Sequence, residues 1–165
     1  MRSARLAYRR PNSSDLGRLH DLDNDPEVMR WINGGLSVSL EDFESELFPV
    51  YLESDNGVYG FWIVESEDGF AGWISLRETA PGEASLGYRL ARRAWGSGFA
   101  TEAASFLVSL AFLDKSLVRV TSTTYEEKHR FSQAPGKVRV QTDPPVSSGR
   151  GAVRYQHAVR RNLGW

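Results

Sequence analysis

Two glycines two positions apart, Gly96 and Gly98, stand between a strand-like run (residues 83–91) and a long apolar helical run (residues 99–113). Glycine lets the backbone turn tightly and approach a ligand closely. The first amides of the following helix lack intrahelical acceptors, so they point into that turn with the positive end of the helix dipole. Arg92 and Arg93 place fixed cations beside it. The combination suits a pyrophosphate. No Gly-Lys-Ser/Thr follows, which excludes a Walker loop, and the third glycine of the dinucleotide fingerprint is missing. On spacing alone, a plain strand–helix turn with glycine caps fits equally well.

The rest of the chain surrounds this unit with a mixed α/β pattern. Residues 5–9 predict a short strand ending at Pro11. Ser13 and Ser14 can cap a helix carrying Leu16, Leu19 and Leu22. Asp25-Pro26-Glu27 reads as a second helix start, stopped by Asn33-Gly34-Gly35. Ser39 caps a third helix with Phe43, Leu47, Val50 and Tyr51 along one side. Asp55-Asn56-Gly57 predicts a turn. A meander follows: residues 58–65, a turn at 66–69, residues 70–77, Pro81-Gly82, then 83–91. Residues 118–125 and 153–159 predict two further strands. Helices, antiparallel strands and a strand–turn–helix unit make one layered α/β domain over residues 1–165.

Composition narrows the function classes. The 165 residues carry a net charge of −1 and no Cys. No general pull toward nucleic acid or an anionic membrane follows, and thiolate metal sites and Cys nucleophiles are excluded. No apolar run approaches a membrane span and the N-terminus lacks a signal-like apolar core, so the expected location is cytoplasmic. His20 reads as a surface helix residue. His129 and His157 lie far apart, and no metal site is expected. The charge is uneven: residues 1–127 hold 12 Lys/Arg against 20 Asp/Glu, and residues 128–165 hold 8 against 1. Between Leu117 and Leu163 there is no Leu, Ile, Met or Trp.

Arg93-x-x-Gly96-x-Gly98-x-Ala100 resembles the acetyl-CoA pyrophosphate loop of the GCN5-related N-acetyltransferases (GNAT). Three flanking segments are similar to the RimJ/RimL-type branch: Leu86-Gly87-Tyr88-Arg89-Leu90 with Ala100-Thr101-Glu102-Ala103, Asp25 to Trp31, and Gly69 to Leu76. The resemblance runs in order over about residues 5–127. It implies a mostly antiparallel α/β sheet flanked by helices and splayed between the loop strand (83–91) and the next (118–125). It implies acetyl-CoA as co-substrate, with Leu90, Ala91, Arg92, Arg93, Gly96, Ser97, Gly98, Ala100 and Thr101 holding it. A primary amine, of a protein N-terminus or a small molecule, would attack the thioester directly while an amide of the bulged strand polarises the carbonyl. Nucleic acid and membrane partners are not expected; a homodimer through the terminal strands is.

Catalytic candidates are few. Where the family often has Glu, two residues before the Gly-Tyr pair, this chain has Ser85. Glu83, on the same strand face, is the substitute base. Tyr125 is the candidate acid. Trp31 and Trp73 are candidates for an acceptor pocket or for core.

After residue 127 the resemblance breaks. The family's next helix begins Asn-x-x-Ser and runs to Glu-Lys-x-Gly-Phe; here Pro135-Gly136 would break a helix. With suitable codons, His129 to Gln141 read one base out of phase gives T-A-S-R-R-L-L-E-K-C-G-F, the missing motif. The atypical segment 128–150 therefore reads as a frameshift, with the original frame resuming before about Gly151. Two other functions stay open: a non-catalytic acyl-CoA-binding domain, and a basic module gripping acidic partners through Arg139, Arg150, Arg154, Arg160 and Arg161.

Overall fold

A computed structural model describes residues 1–30, 32–53, 57–125, 140–142, 146–148 and 152–160, and from residue 123 on it describes backbone. The elements in chain order are β1 (Ala7–Arg9), α1 (Leu16–Asn24), α2 (Pro26–Met29), α3 (Leu40–Asp42), α4 (Phe48–Leu52), β2 (Gly60–Ser66), β3 (Gly69–Ala80), β4 (Glu83–Leu90), α5 (Phe99–Ala111), β5 (Arg119–Tyr125), β6 (Val140–Thr142), β7 (Val146–Ser148) and β8 (Ala152–Arg160). The strands form one sheet in the order β1-β2-β3-β4-β5-β8-β6, with β7 also on β8. Every pairing is antiparallel except β4 with β5. The expected mixed sheet with flanking helices is what the chain forms.

Strand alternation divides two cores. Trp62, Val64, Ile74, Leu76, Leu86 and Leu90 face α5, which returns Ala103, Ala104, Leu107, Val108 and Ala111. Leu107 is fully buried and contributes about 2 kcal/mol through burial. Phe61, Ile63 and Trp73 face the other way, under Leu19, Leu22, Phe43, Phe48 and Tyr51. Aromatic edges interlock there: Tyr51–Phe61 centroids are 4.8 Å apart and Phe61–Trp73 5.1 Å.

Local structure differs from expectation in four places. Asn12, not Ser13 or Ser14, caps the first helical turn; its side chain accepts from the Ser14 amide while Asp15 reaches back to the Asn12 amide. Asp25 and Ser39 cap as expected. The third helix is interrupted by a π-turn at Phe43–Leu47. Its wider turn rotates the following face, so Phe48 and Tyr51 are buried while Leu47 and Val50 lie exposed. His20 is half-buried, packed edge-on against Phe43. The predicted turn at 55–57 falls outside the described residues except for Gly57. Within segment 128–150, where no strand was expected, β6 and β7 pair with β8. Its remaining residues, Pro135-Gly136 and His129 included, lie outside the described residues, as do Trp31, Arg139, Arg150 and Arg161.

Two bulges shape β3. Ala71 is an extra residue against β2 and Thr79 against β4. The loop strand β4 pairs with β3 in unbroken register from Gly72↔Leu90 to Glu78↔Ala84. Both register shifts lie on β3, beside the loop strand. Among the described residues, no helix is long and apolar enough to cross a membrane.

Candidate active site

The β4–β5 ladder is short. Glu83 pairs with Arg119, Ala84 with Val120 and Ser85 with Thr121, and there the register ends. Beyond Thr121, β5 follows β8 to Tyr125↔Arg154, while β4 follows β3 to Leu90. The two strands part into a wedge with its apex at Ser85. The splay implied by the sequence is present at the expected strands.

Backbone parity decides which groups line the wedge. The Ala91 amide donates to the Ala71 carbonyl of β3 at 2.9 Å, so odd positions of β4 turn their backbone toward β3. Even positions turn toward β5: the Gly82 carbonyl accepts from Val118 at 2.8 Å and the Ala84 carbonyl from Thr121 Oγ1 at 3.3 Å. Leu86, Tyr88 and Leu90 continue that parity past the last ladder pair, so their amides and carbonyls face the gap. Strand alternation thus adds Leu86 and Tyr88 to the gap-facing positions, beside the Leu90 to Arg92 stretch that the resemblance implied. The Leu90 carbonyl is already engaged, accepting from Trp95 Nε1 at 2.8 Å.

The glycine loop closes the open end. Arg92 to Ala94 form a 3-10 turn. Arg92 is exposed there, whereas the Arg93 guanidinium donates to the Phe70 carbonyl and ties the loop to β3. Gly96 and Gly98 have φ of 74° and 77°, the left-handed region where a side chain is strained. Gly98 is the N-cap of α5. The first helical bond is Glu102 to the Gly98 carbonyl, which leaves the Phe99, Ala100 and Thr101 amides as first-turn donors. A Cβ built at Gly96 would meet nothing within 4 Å, so the loop has open space on that side.

Glu83 and Ser85 share the strand face of Trp73 and Arg89, at the closed end of the wedge. Arg119 Nη1 donates to Glu83 Oε2 at 3.4 Å. Ser85 stands five residues from Leu90, about 17 Å along the strand. Tyr125 holds the last β5 register position, opposite Arg154. Trp73 is buried in the aromatic core on the same face. Arg89 lies between: its guanidinium donates to Asp23, which also accepts from the Tyr51 hydroxyl at 2.7 Å. Burial pushes the Tyr51 hydroxyl well above its ordinary value, aided by the Asp23 charge.

A sheet that opens beside a glycine loop and a helix N-terminus is the arrangement that the GNAT resemblance implies. A family model describing the acetyltransferase (GNAT) domain matches residues 5–139, and the chain belongs to this family. It is 29% identical over 154 residues to the FsC-acetyl coenzyme A-N(2)-transacetylase of Aspergillus fumigatus, covering 81% of this chain and 65% of that protein. The chain thus spans just under two thirds of that relative. It is 27% identical over 128 residues to an uncharacterized N-acetyltransferase p20 of Bacillus licheniformis, covering 74% and 71%. Among solved structures, a GNAT-family acetyltransferase from Bacillus anthracis superposes with a TM-score of 0.78 at 19% identity, covering 96% of each chain. The spermidine N-acetyltransferase from Vibrio cholerae, in complex with CoA and spermine, gives 0.70 at 18%, covering 96% and 97%. The Salmonella typhimurium acetyltransferase that modifies the N-terminal serine of L7/L12 gives 0.76 at 15%, covering 97% of each. The shared fold is the common ground of these structures.

Proposed function

We propose that this chain transfers an acetyl group from acetyl-CoA to a primary amine by direct attack in a ternary complex. The observation that carries the reading is the β4–β5 ladder ending at Ser85, with the Gly96–Gly98 turn at the open end of the gap. A pyrophosphate fits the donors of the turn and the first residues of α5, with Gly96, Ser97, Gly98, Ala100 and Thr101 as the cradle. The pantetheine arm then lies along β4, where the backbone of Leu86 and the amide of Leu90 face the gap and can pair as an added strand would.

The amine nitrogen attacks the thioester carbonyl, the new C–N bond forms, and the C–S bond breaks to release coenzyme A. A gap-facing β4 amide stabilises the oxyanion. Glu83, directly or through a water held at Ser85, takes a proton from the acceptor ammonium and so frees the amine that attacks. Tyr125 is the candidate donor to the departing thiolate. The acceptor class rests on relatives named for spermidine and for a ribosomal protein N-terminus. Ser85, in a position where the family often carries Glu, favours the second reading of a domain that binds acyl-CoA without turnover.

Calorimetric titration with acetyl-CoA beside a Gly96→Trp variant tests the binding half. Micromolar affinity in the wild type, lost in the variant, supports it; a folded wild type that takes up no acetyl-CoA refutes it. An amine panel then separates transferase from binding domain.

A further inference from the structure

Arg5 is far from the glycine loop in sequence, yet its guanidinium lies against it. Arg5 Nη1 donates to the Ser97 carbonyl at 2.9 Å and Arg5 Nε to Glu102 Oε2 at 2.8 Å. The Arg5 amide and the Ser3 hydroxyl both donate to Glu102 Oε1 at 2.7 Å. The guanidinium carbon sits 4.9 Å from the Phe99 ring centroid, and a Cβ at Gly98 would come within 3.5 Å of Arg5 Nη2. The N-terminal segment thus reaches across to the helix start and grips one carbonyl of the loop.

That carbonyl matters because of peptide geometry. In a trans peptide the C=O and the following N–H point in opposite directions. With the Ser97 carbonyl drawn toward Arg5, the Gly98 N–H is aimed away from Arg5. Gly98, on the far side of that peptide, has positive φ, and glycine offers little steric resistance to a rotated peptide. Without Arg5, the 97–98 peptide loses the hydrogen bond that its Ser97 carbonyl accepts. Glu102 in turn fixes Arg5. Burial alone would raise the Glu102 carboxyl, but the bonds from Ser3 and from the Arg5 amide and side chain hold it below its ordinary value. Arg5 also offsets the Glu102 charge, which would otherwise face an incoming phosphate from the first turn of α5.

We propose that Arg5 is a positioning residue for the phosphate-binding loop: by holding the Ser97 carbonyl and neutralising Glu102, it presets the Gly98 amide toward the pyrophosphate of the acyl donor. The proposal rests on the acyl-CoA reading above and names a residue outside its motif.

The test compares two ligands that share the pantetheine arm and differ in the pyrophosphate. Affinities for coenzyme A and for pantetheine are measured by calorimetry and NMR titration in the wild type, Arg5→Ala and Arg5→Lys. Arg5→Ala is expected to weaken coenzyme A about tenfold, the scale of one charge-assisted hydrogen bond. Its pantetheine affinity stays at the wild-type value. Arg5→Lys keeps the charge but not the two-pronged grip, so it shows the same split at smaller size and serves if the alanine variant does not fold. Equal losses on both ligands, or none on coenzyme A, overturn the proposal. A wild type that ignores coenzyme A overturns the acyl-CoA reading itself, a separate result.

Discussion

The Tyr51 hydroxyl donates to Asp23 Oδ2 at 2.7 Å, deep beneath the helical layer, and the same carboxylate receives the Arg89 guanidinium from β4. Side-chain exposure is 7% for Asp23 and 13% for Arg89. This joint ties α1 and α4 to the loop strand. Removing one partner of a buried ion pair strands the other charge, so Asp23→Ala is expected to cost about 3–5 kcal/mol. Tyr51→Phe removes one hydrogen bond and costs about 1–2 kcal/mol. Urea unfolding of the two variants measures both; an Asp23→Ala loss below that of Tyr51→Phe contradicts the assignment.

Gly72 of β3 lies against the backbone of Arg89 and Leu90 in β4 with no room for a side chain. Its φ is 138°, and an added Cβ would sit 2.1 Å from the Arg89 carbonyl oxygen, a backbone atom that has no rotamer to yield. Gly72→Ala is therefore expected to lose at least ~3 kcal/mol through strain and overpacking. Thermal melts compared with Gly17→Ala, whose Cβ meets nothing within 4 Å, supply the contrast. A Gly72→Ala protein as stable as the wild type would sink this account.

Asp15 is fully buried and takes both forks of Arg9, at 2.7 Å each. Burial raises its pKa, but the Arg9 bonds, the Asn12 amide and the Arg9 and Arg18 charges together bring it below its ordinary 3.8. A carboxyl depressed on folding stabilises fully above its unfolded value and loses that contribution as pH falls through the folded one. The stability gap between wild type and Asp15→Asn should thus be widest near neutrality and shrink below about pH 4. Denaturant midpoints from pH 7 to pH 2 read it directly, and a gap that widens on acidification has the wrong sign.

Glu83 offers a test of chemistry apart from binding. If it carries the proton as proposed, Glu83→Gln lowers kcat about a hundredfold and leaves the KM for acetyl-CoA in place. Its link to Arg119, at 3.4 Å and 39% exposed on the Glu side, contributes under about 1 kcal/mol, so stability is nearly unmoved. Steady-state kinetics with any accepted amine separates the two parameters. Unchanged kcat transfers the role elsewhere.

The glycine loop was legible in sequence because φ above zero is a local demand that Gly96 and Gly98 announce without tertiary help. The α5 face was legible for the same reason: its apolar spacing is intrinsic. The splay was legible only through family resemblance, since nothing in residues 86–90 or 122–125 states that a ladder must stop. Asn12 was missed because three consecutive capping-type residues compete and Asp15 decides among them. Leu47 was misplaced because a π-turn adds a residue per turn without a sequence mark. Arg5 was invisible because its partners, Ser97 and Glu102, are more than ninety positions away.

The β4–β5 ladder has a mechanical corollary. Three residue pairs join the strand set β1–β4 to the set β5–β8, and the inner edges of the two sets diverge from that seam like the blades of a clothes-peg. Each set has its own register partners, and Val120 of β5 shares the α5 core with Leu86 and Leu107, so packing as well as the ladder holds the seam. Grafting the β5–β8 portion of a family relative onto residues 1–118, with Val120 retained, would re-space the jaw while leaving its glycine-loop anchor intact.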